Sequence, residues 1–321
     1  MTAIPTTRCE LRLPNLTRLF DHVRSNAGGT PVMVRPNSHV GQTVAICGAG
    51  PSLRDDFLNT LPATDHVWAC NSALPYLMDQ RVRVTHGFTI DQGEEMLGPQ
   101  EWQRTFPVRY LCASCVTPAL IAHLRQANRK IQFFHSYLGV PDPDDYVPRE
   151  AGERYEMALY RNHYPPSVQV GHGLNSVPRA VCLALVMGFS RILVYGADCA
   201  ARPDYAPLPQ RIVPGAYAAW LRGLILYADG RSAADAYGDD VVMAEAVIDG
   251  RRWHTRPDMV ISAMHLLDLA RVYPGRITYI GDTLPNVLAR QDADFLARMP
   301  TLNSGAVHNF GIMPTFSGAS T

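Results

Sequence analysis

Residues 43–53, Thr43-Val-Ala-Ile-Cys-Gly-Ala-Gly-Pro-Ser-Leu53, form an apolar run that stops at two closely spaced glycines and restarts with a proline. This reads as a β-strand, a tight turn and a helix N-terminus. Gly48 and Gly50 let the backbone turn sharply and approach a ligand, with Ala49 between them. Pro51 suits a first helical position, where its missing N–H would have had no partner, and Ser52 follows it. Free N–H groups at such a terminus favour a phosphate. The third glycine of a dinucleotide fingerprint is absent, so nicotinamide or flavin binding is the weaker reading. A tight turn that binds nothing is the plain alternative.

Outward from this turn, short apolar strands alternate with helical segments. Strands are expected at 66–71, 82–91, 108–113, 131–135 and 191–195, and helices at 53–61, 73–78, 118–125 and 178–189. The alternation predicts an α/β fold with a Rossmann-like, doubly wound, mostly parallel sheet, whose ligand site lies at the carboxyl ends of the strands. Asn71, Asp91 and Asp198 all fall at predicted strand ends. The pattern breaks at 137–170 and 201–240, two insertions expected near the site, the second with four prolines and then a helix expected at 216–228. Residues 1–40 read as an N-terminal extension with a short helix at 16–24, residues 41–290 as the nucleotide-binding domain, and 291–321 as a loosely ordered tail.

The glycine-turn-helix theme recurs at Gly171-His172-Gly173-Leu174-Asn175-Ser176-Val177, followed by an apolar helix and a strand ending in Gly196-Ala197-Asp198. Ser176 is the expected N-cap. Two glycine-bounded helix starts can grip two parts of a nucleotide, and the candidate binding set includes Gly171, Gly173, Asn175 and Ser176 beside the first turn and Asn71. Asp198 is placed to hold a divalent cation or orient a hydroxyl, or else to cap the next turn. His172 lies inside the second glycine loop. His254, in Arg251-Arg-Trp-His-Thr-Arg256, has guanidinium neighbours suited to phosphate, or belongs to a surface turn with a structural tryptophan.

Composition sets the outer bounds. The 321 residues are 47% hydrophobic and carry no formal net charge, with 29 Lys+Arg against 29 Asp+Glu, so no global basic field points to nucleic acid or an anionic membrane. Seven cysteines, an odd number set mostly in apolar runs, argue for reduced thiols in a cytoplasm-like compartment. Cys112 and Cys115 make a lone C-x-x-C without zinc spacing, read as structural. No apolar run is long enough for a membrane span, and no leader pattern opens the chain. There is no Ser-His-Asp signature, no H-E-x-x-H and no Walker lysine loop. The composition leaves a homo-oligomer open.

The blocks Ile46 to Leu53, Thr89-Ile90-Asp91 and Gly171 through Asp198 resemble the domain of archaeal 6-hydroxymethylpterin diphosphokinase, which also occurs in bacterial motility-associated glycosyltransferases. A more distant similarity is to bacterial sialyltransferases that use a CMP-sugar, which share the Gly-x-Gly-Pro-Ser-Leu turn and a strand ending in Gly-x-Asp. The resemblance runs from about residue 43 to 290, and Trp253-His254-Thr255 with the helix expected at 258–272 resembles the closing segment. Cys199 departs from the small apolar or aromatic residue expected after the aspartate. The resemblance implies a transferase with a nucleotide donor. One form is a diphosphokinase, with Mg2+ held by Asp91 and Asp198 and pyrophosphate moved to a hydroxymethyl acceptor. Another is a glycosyltransferase using a CMP- or UDP-sugar, with His172 or His254 as acid or base. A third reading, from another class, is a scaffold that binds nucleotide without turnover. The acceptor is unassigned and is expected to meet the two insertions.

Overall fold

A computed structural model describes residues 16–28, 31–57, 63–136, 164, 168–170, 175–202, 207–209, 213–239, 241, 243–248 and 250–290. Its centre is a sheet of eight strands: β1 (Thr43–Cys47), β2 (His66–Cys70), β3 (His86–Thr89), β4 (Arg109–Ala113), β5 (Lys130–Ser136), the two-residue β6 (Gln169–Val170), β7 (Arg191–Tyr195) and β10 (Ile277–Tyr279). The order is β10-β7-β1-β2-β3-β4-β5-β6, and every pairing in it is parallel. From β1 the chain moves outward one strand at a time to β6, then returns across the sheet to place β7 on the other side of β1. Ile46 thus sits between Trp68 and Val194 in register.

Val44, Ala45, Ile46 and Cys47 are all fully buried. Because successive strand residues point to opposite faces, four buried in a row require cover on both faces, which accounts for an unbroken apolar run instead of an alternating one. The α4 helix (Ser176–Val186) lies across β1, β2 and β3. Of the helices before it, α1 (Leu16–Asn26) meets α3 (Pro118–Gln126), and α2 (Ala73–Asp79) follows β2. Leu19 and Val23 of α1 belong to the main core, and Asn26 donates to Ser114 O and Val116 O, so the segment before β1 is tied into the domain.

Beyond β7, α5 (Pro214–Gly223) and α6 (Ala233–Tyr237) gather around Leu221, Leu224, Ala233, Ala234 and Met243 as a small separate core. An antiparallel hairpin of β8 (Ala244–Ile248) and β9 (Arg251–Thr255) leads into α7 (Pro257–Val272), and α8 (Leu284–Arg290) follows β10.

Several local expectations change. The helix expected at 53–61 is a π-helical turn over Leu53–Phe57, the rest of that range lying outside the described residues. The strand expected from residue 82 starts at His86, because pairing with β2 begins at the Trp68–His86 partners and the preceding residues close a turn, Val82 N–H to Leu77 O. The helix expected at 216–228 ends at Gly223. The expected surface turn around His254 is β9, formed by an Asp-Gly hairpin signal at 249–250 with Gly250 at φ +71°. The tail at 291–321 and most of the first insertion lie outside the described residues.

Candidate functional site

The direction of winding reverses between β1 and β7, and in doubly wound sheets ligands bind at such a reversal, beyond the carboxyl ends of the strands. A cleft of about 560 Å³ opens there. Gly48, Ala49, Gly50, Asn71, Asp91, Asn175, Ser176 and Asp198 all line it, so one crevice brings together candidates spread over 150 residues of chain. Pro51 and Ser52 are buried and do not line it. Gly171, His172 and Gly173 lie outside the described residues.

The glycine turn is fastened to the end of β7. Gly48 N–H donates to Tyr195 O at 2.8 Å and Gly50 N–H to Gly196 O at 2.9 Å. A Cβ on Gly48 would lie 2.5 Å from Gly196 O, and one on Gly50 would collide with the Asp198 carboxylate and lie 2.8 Å from Gly196 O. Gly196 has φ +61° and faces Gly48 O. These glycines are therefore required by two backbones passing at van der Waals distance, before any ligand is considered.

Asp198 meets this turn directly. Its carboxylate is 4% exposed and accepts from Ser52 N–H at 3.1 and 3.2 Å and from Ser52 Oγ–H at 2.7 Å, with Arg202 Nε 3.8 Å away. Burial pushes its carboxyl up to about 6, opposed by the Ser52 hydroxyl and the Arg202 guanidinium. An internal carboxylate thus takes the N–H at the turn where a phosphate was expected; Asp198 caps the glycine turn after β1, 146 residues earlier, and not the turn that follows it. Among the described residues no group of three or more His, Cys, Asp or Glu side chains is arranged to hold a metal ion. Asp198, facing N–H and O–H donors, does not fit direct ligation of Mg2+ in this arrangement. Asp91 also lines the cleft, with Gly93 N–H 3.4 Å from Oδ1, and burial raises its carboxyl.

The second helix start is capped by Asn175, whose side chain accepts from Val177 N–H at 3.2 Å, and not by Ser176, which is the first helical residue. Ser176 Oγ lies 3.4 Å from Asn71 Oδ1. Asn71 has φ +46°, in the left-handed region that asparagine tolerates, and its carbonyl accepts from the Trp102 indole N–H at 3.0 Å. Asn71, Asn175 and Ser176 thereby place amide and hydroxyl groups together along one side of the cleft.

His254 is elsewhere. It is 1% exposed, set in β9 with its ring edge-on to Trp220 at 5.3 Å, and it does not line the cleft. Arg256, two residues on, does line it, stacked over Tyr237 at 4.0 Å and paired with Asp258 at 3.0 Å. Other lining residues come from segments without a motif: Glu101 after the 3-10 turn Glu94–Leu97, and Tyr227, Arg231 and Tyr237 from the second insertion. Arg256 carried a signal in the arginine-rich run around His254. Arg231 follows an Asp-Gly turn, and Glu101 had no signal beyond the Gly-Pro pair before it.

A Rossmann-like α/β protein with its cleft at the β1/β7 reversal is the class that fold and site define. The chain belongs to the 6-hydroxymethylpterin diphosphokinase MptE-like family, which it matches over residues 17–204. Curated proteins offer no match. Among solved structures it is similar to the MAf glycosyltransferase from Magnetospirillum magneticum AMB-1, at 12% identity and a TM-score of 0.55, over 89% of this chain and 42% of that one. It is also similar to a mammalian sialyltransferase solved in complex with Gal-beta-1-3GalNAc-ortho-nitrophenol, at 12% identity and a TM-score of 0.38, over 84% and 81% of the two chains. The chain thus spans less than half of the bacterial glycosyltransferase, with which it shares the fold.

Proposed function

We propose that this chain is a transferase that takes its transferred group from a nucleotide donor, of the glycosyltransferase type. The observation that carries the reading is the convergence of Gly48, Gly50, Asn71, Asn175 and Ser176 on one cleft at the reversal point of the sheet. In this reading the N–H and side-chain groups of Ala49, Asn71, Asn175 and Ser176 bind the nucleotide, and the Arg256 guanidinium meets its phosphate. His172, three residues before Asn175 in the sequence, is the proposed acid–base group. Asp198 acts by holding the glycine turn to β7, a positioning role. No helix among the described residues is long and apolar enough to cross a membrane.

The family match favours a second reading, pyrophosphoryl transfer from a nucleoside triphosphate. It would require Asp198 to exchange Ser52 for a magnesium ion shared with Asp91. A thermal-shift screen with CMP, UDP, CMP- and UDP-sugars, ATP and GTP, each with and without magnesium, separates the two. The glycosyltransferase reading expects metal-independent stabilisation by a nucleoside mono- or diphosphate, roughly 2.7 kcal/mol at a hundredfold excess over Kd. Arg256→Gln should keep the unliganded melting temperature and weaken that response. Stabilisation only by a triphosphate with magnesium selects the second reading, and no response to any nucleotide overturns both.

A further inference from the structure

A second opening lies at the other end of the sheet, a groove of about 600 Å³ among the amino ends of β2, β3, β4 and β5. The strands themselves separate it from the cleft. Arg83, Arg109, Arg129 and Lys130 line this groove, and Asp65 is the one carboxylate in its lining. That carboxylate is engaged by Thr43 N–H at 2.8 Å. Arg83, Arg109 and Lys130 are exposed, while Arg129 is half-buried and steadied by a hydrogen bond from Nε to Thr105 Oγ1 at 3.2 Å. Three of the four charged side chains are therefore open to a solute.

The strand pairing itself brings like charges together. Arg109 opens β4 and Lys130 opens β5, and the two are register partners on neighbouring parallel strands, about 4.8 Å apart. Side chains paired this way share a face of the sheet, where like charges repel. Arginines elsewhere are matched by acids, as Arg24 is by Asp21 at 2.8 Å, Arg54 by Asp55 at 2.8 Å and Arg271 by Asp268 at 2.9 Å. Among the described residues none of the four groove cations has such a partner. A chain with equal numbers of acidic and basic residues thus gathers unmatched positive charge at one place. The floor does not cancel it: His86, register partner of Arg109, is buried, and burial pushes its imidazole down to about 3, with His66 and Arg109 acting in the same direction.

An anion in the groove relieves this repulsion. Guanidinium forks and an ammonium suit phosphate oxygens, and four cations in a space of this size match a compact anion with several charges better than a single carboxylate. No Trp, Tyr or Phe lines the groove, so it offers a nucleobase no such ring to stack on. We propose that this groove is a second binding site, for a soluble anion of two or more linked phosphates held by Arg83, Arg109, Arg129 and Lys130. It is separate from the transferase cleft and stands whether or not that cleft binds a nucleotide.

The test titrates the whole chain with pyrophosphate and tripolyphosphate, free of magnesium and at an ionic strength held constant with sodium chloride. Calorimetry gives the affinity, and hydrogen–deuterium exchange gives the place. Wild type is expected to bind both, tripolyphosphate more tightly, with exchange slowed at residues 83–86 and 128–130 and unchanged at 48–50. The double variant Arg109→Gln, Lys130→Gln is expected to lose about tenfold in affinity or more. Arg24→Gln, which removes a matched arginine elsewhere, is expected to bind as wild type does. Should the double variant not fold, Lys130→Gln alone, at an exposed strand start, is expected to bind tripolyphosphate more weakly than Arg24→Gln does. No binding by wild type, equal affinity in wild type and the groove variants, or protection at 48–50 in place of 83–86 and 128–130 overturns the proposal. So does binding to phosphatidylglycerol vesicles without binding to either soluble anion.

Discussion

At the scale of single residues, Gly50 and Asp198 define one another. A glycine beside a phosphate-binding turn is commonly explained by the ligand, but Gly50 has no room for a side chain even in the absence of one, since its Cβ would occupy the space of the Asp198 carboxylate. Gly50→Ala is therefore expected to destabilise the fold by about 2–4 kcal/mol, within the range of overpacking and broken buried networks. Adding Asp198→Ala should recover part of the loss in Gly50→Ala, because it removes the nearer of the two obstacles and leaves Gly196 O. Gly48→Ala, whose obstacles are Gly196 O and Val177, should gain nothing from the same second change. Urea unfolding of wild type, the three single variants and the two double variants measures this directly, and additive losses for Gly50 and Asp198 would show that the two do not share the space. The sequence alone placed Asp198 at the end of a strand and weighed ligand binding against capping. It had no means of showing Ser52, 146 residues away, as the capping partner.

At the scale of elements, the helix starts were legible because their signals are local, and the hairpin could have been. Proline at the start of α3 and α7, and the polar residue before α4, follow from which N–H groups a helix leaves unpaired. The one-residue difference at α4, Asn175 in place of Ser176, arises because both residue types cap well and the sequence does not say which adopts extended backbone. Asn175→Ala should cost about 1 kcal/mol of stability and leave Ser176→Ala the milder change; the reverse order in thermal or urea melts would return the cap to Ser176. The Asp-Gly at 249–250 is a short-range hairpin signal that the arginines around His254 obscured. Reading that run by its charge made it a polar surface segment, whereas Trp253 at 3% and His254 at 1% exposure, neighbours on a strand and so on opposite faces of it, are both covered.

At the scale of the whole molecule, the sheet was legible because parallel strands buried on both faces leave continuous apolar runs separated by helices. The position of the cleft followed from the same topology, since among the described strands only the crossover from β6 back to β7 creates a reversal, and Gly48 and Gly50 after β1 face Gly196 after β7 across it. The rest of the cleft wall was not legible. Tyr227, Arg231 and Tyr237 reach the cleft from the segment around the small second core, and Glu101 from the connection between β3 and β4, long-range arrangements with no sequence period of their own. The charged groove at the amino ends of the strands, where Arg83, Arg109, Arg129 and Lys130 meet, is the natural competitor as an anion site.

Hydrogen–deuterium exchange with and without a saturating nucleotide decides between these two ends of the sheet. The account predicts slowed exchange at residues 48–50, 71–72, 175–177 and 226–237 and unchanged exchange at 83–86 and 128–130. Protection confined to the second set, or a bound nucleotide that protects neither, would contradict a nucleotide site at the β1/β7 reversal.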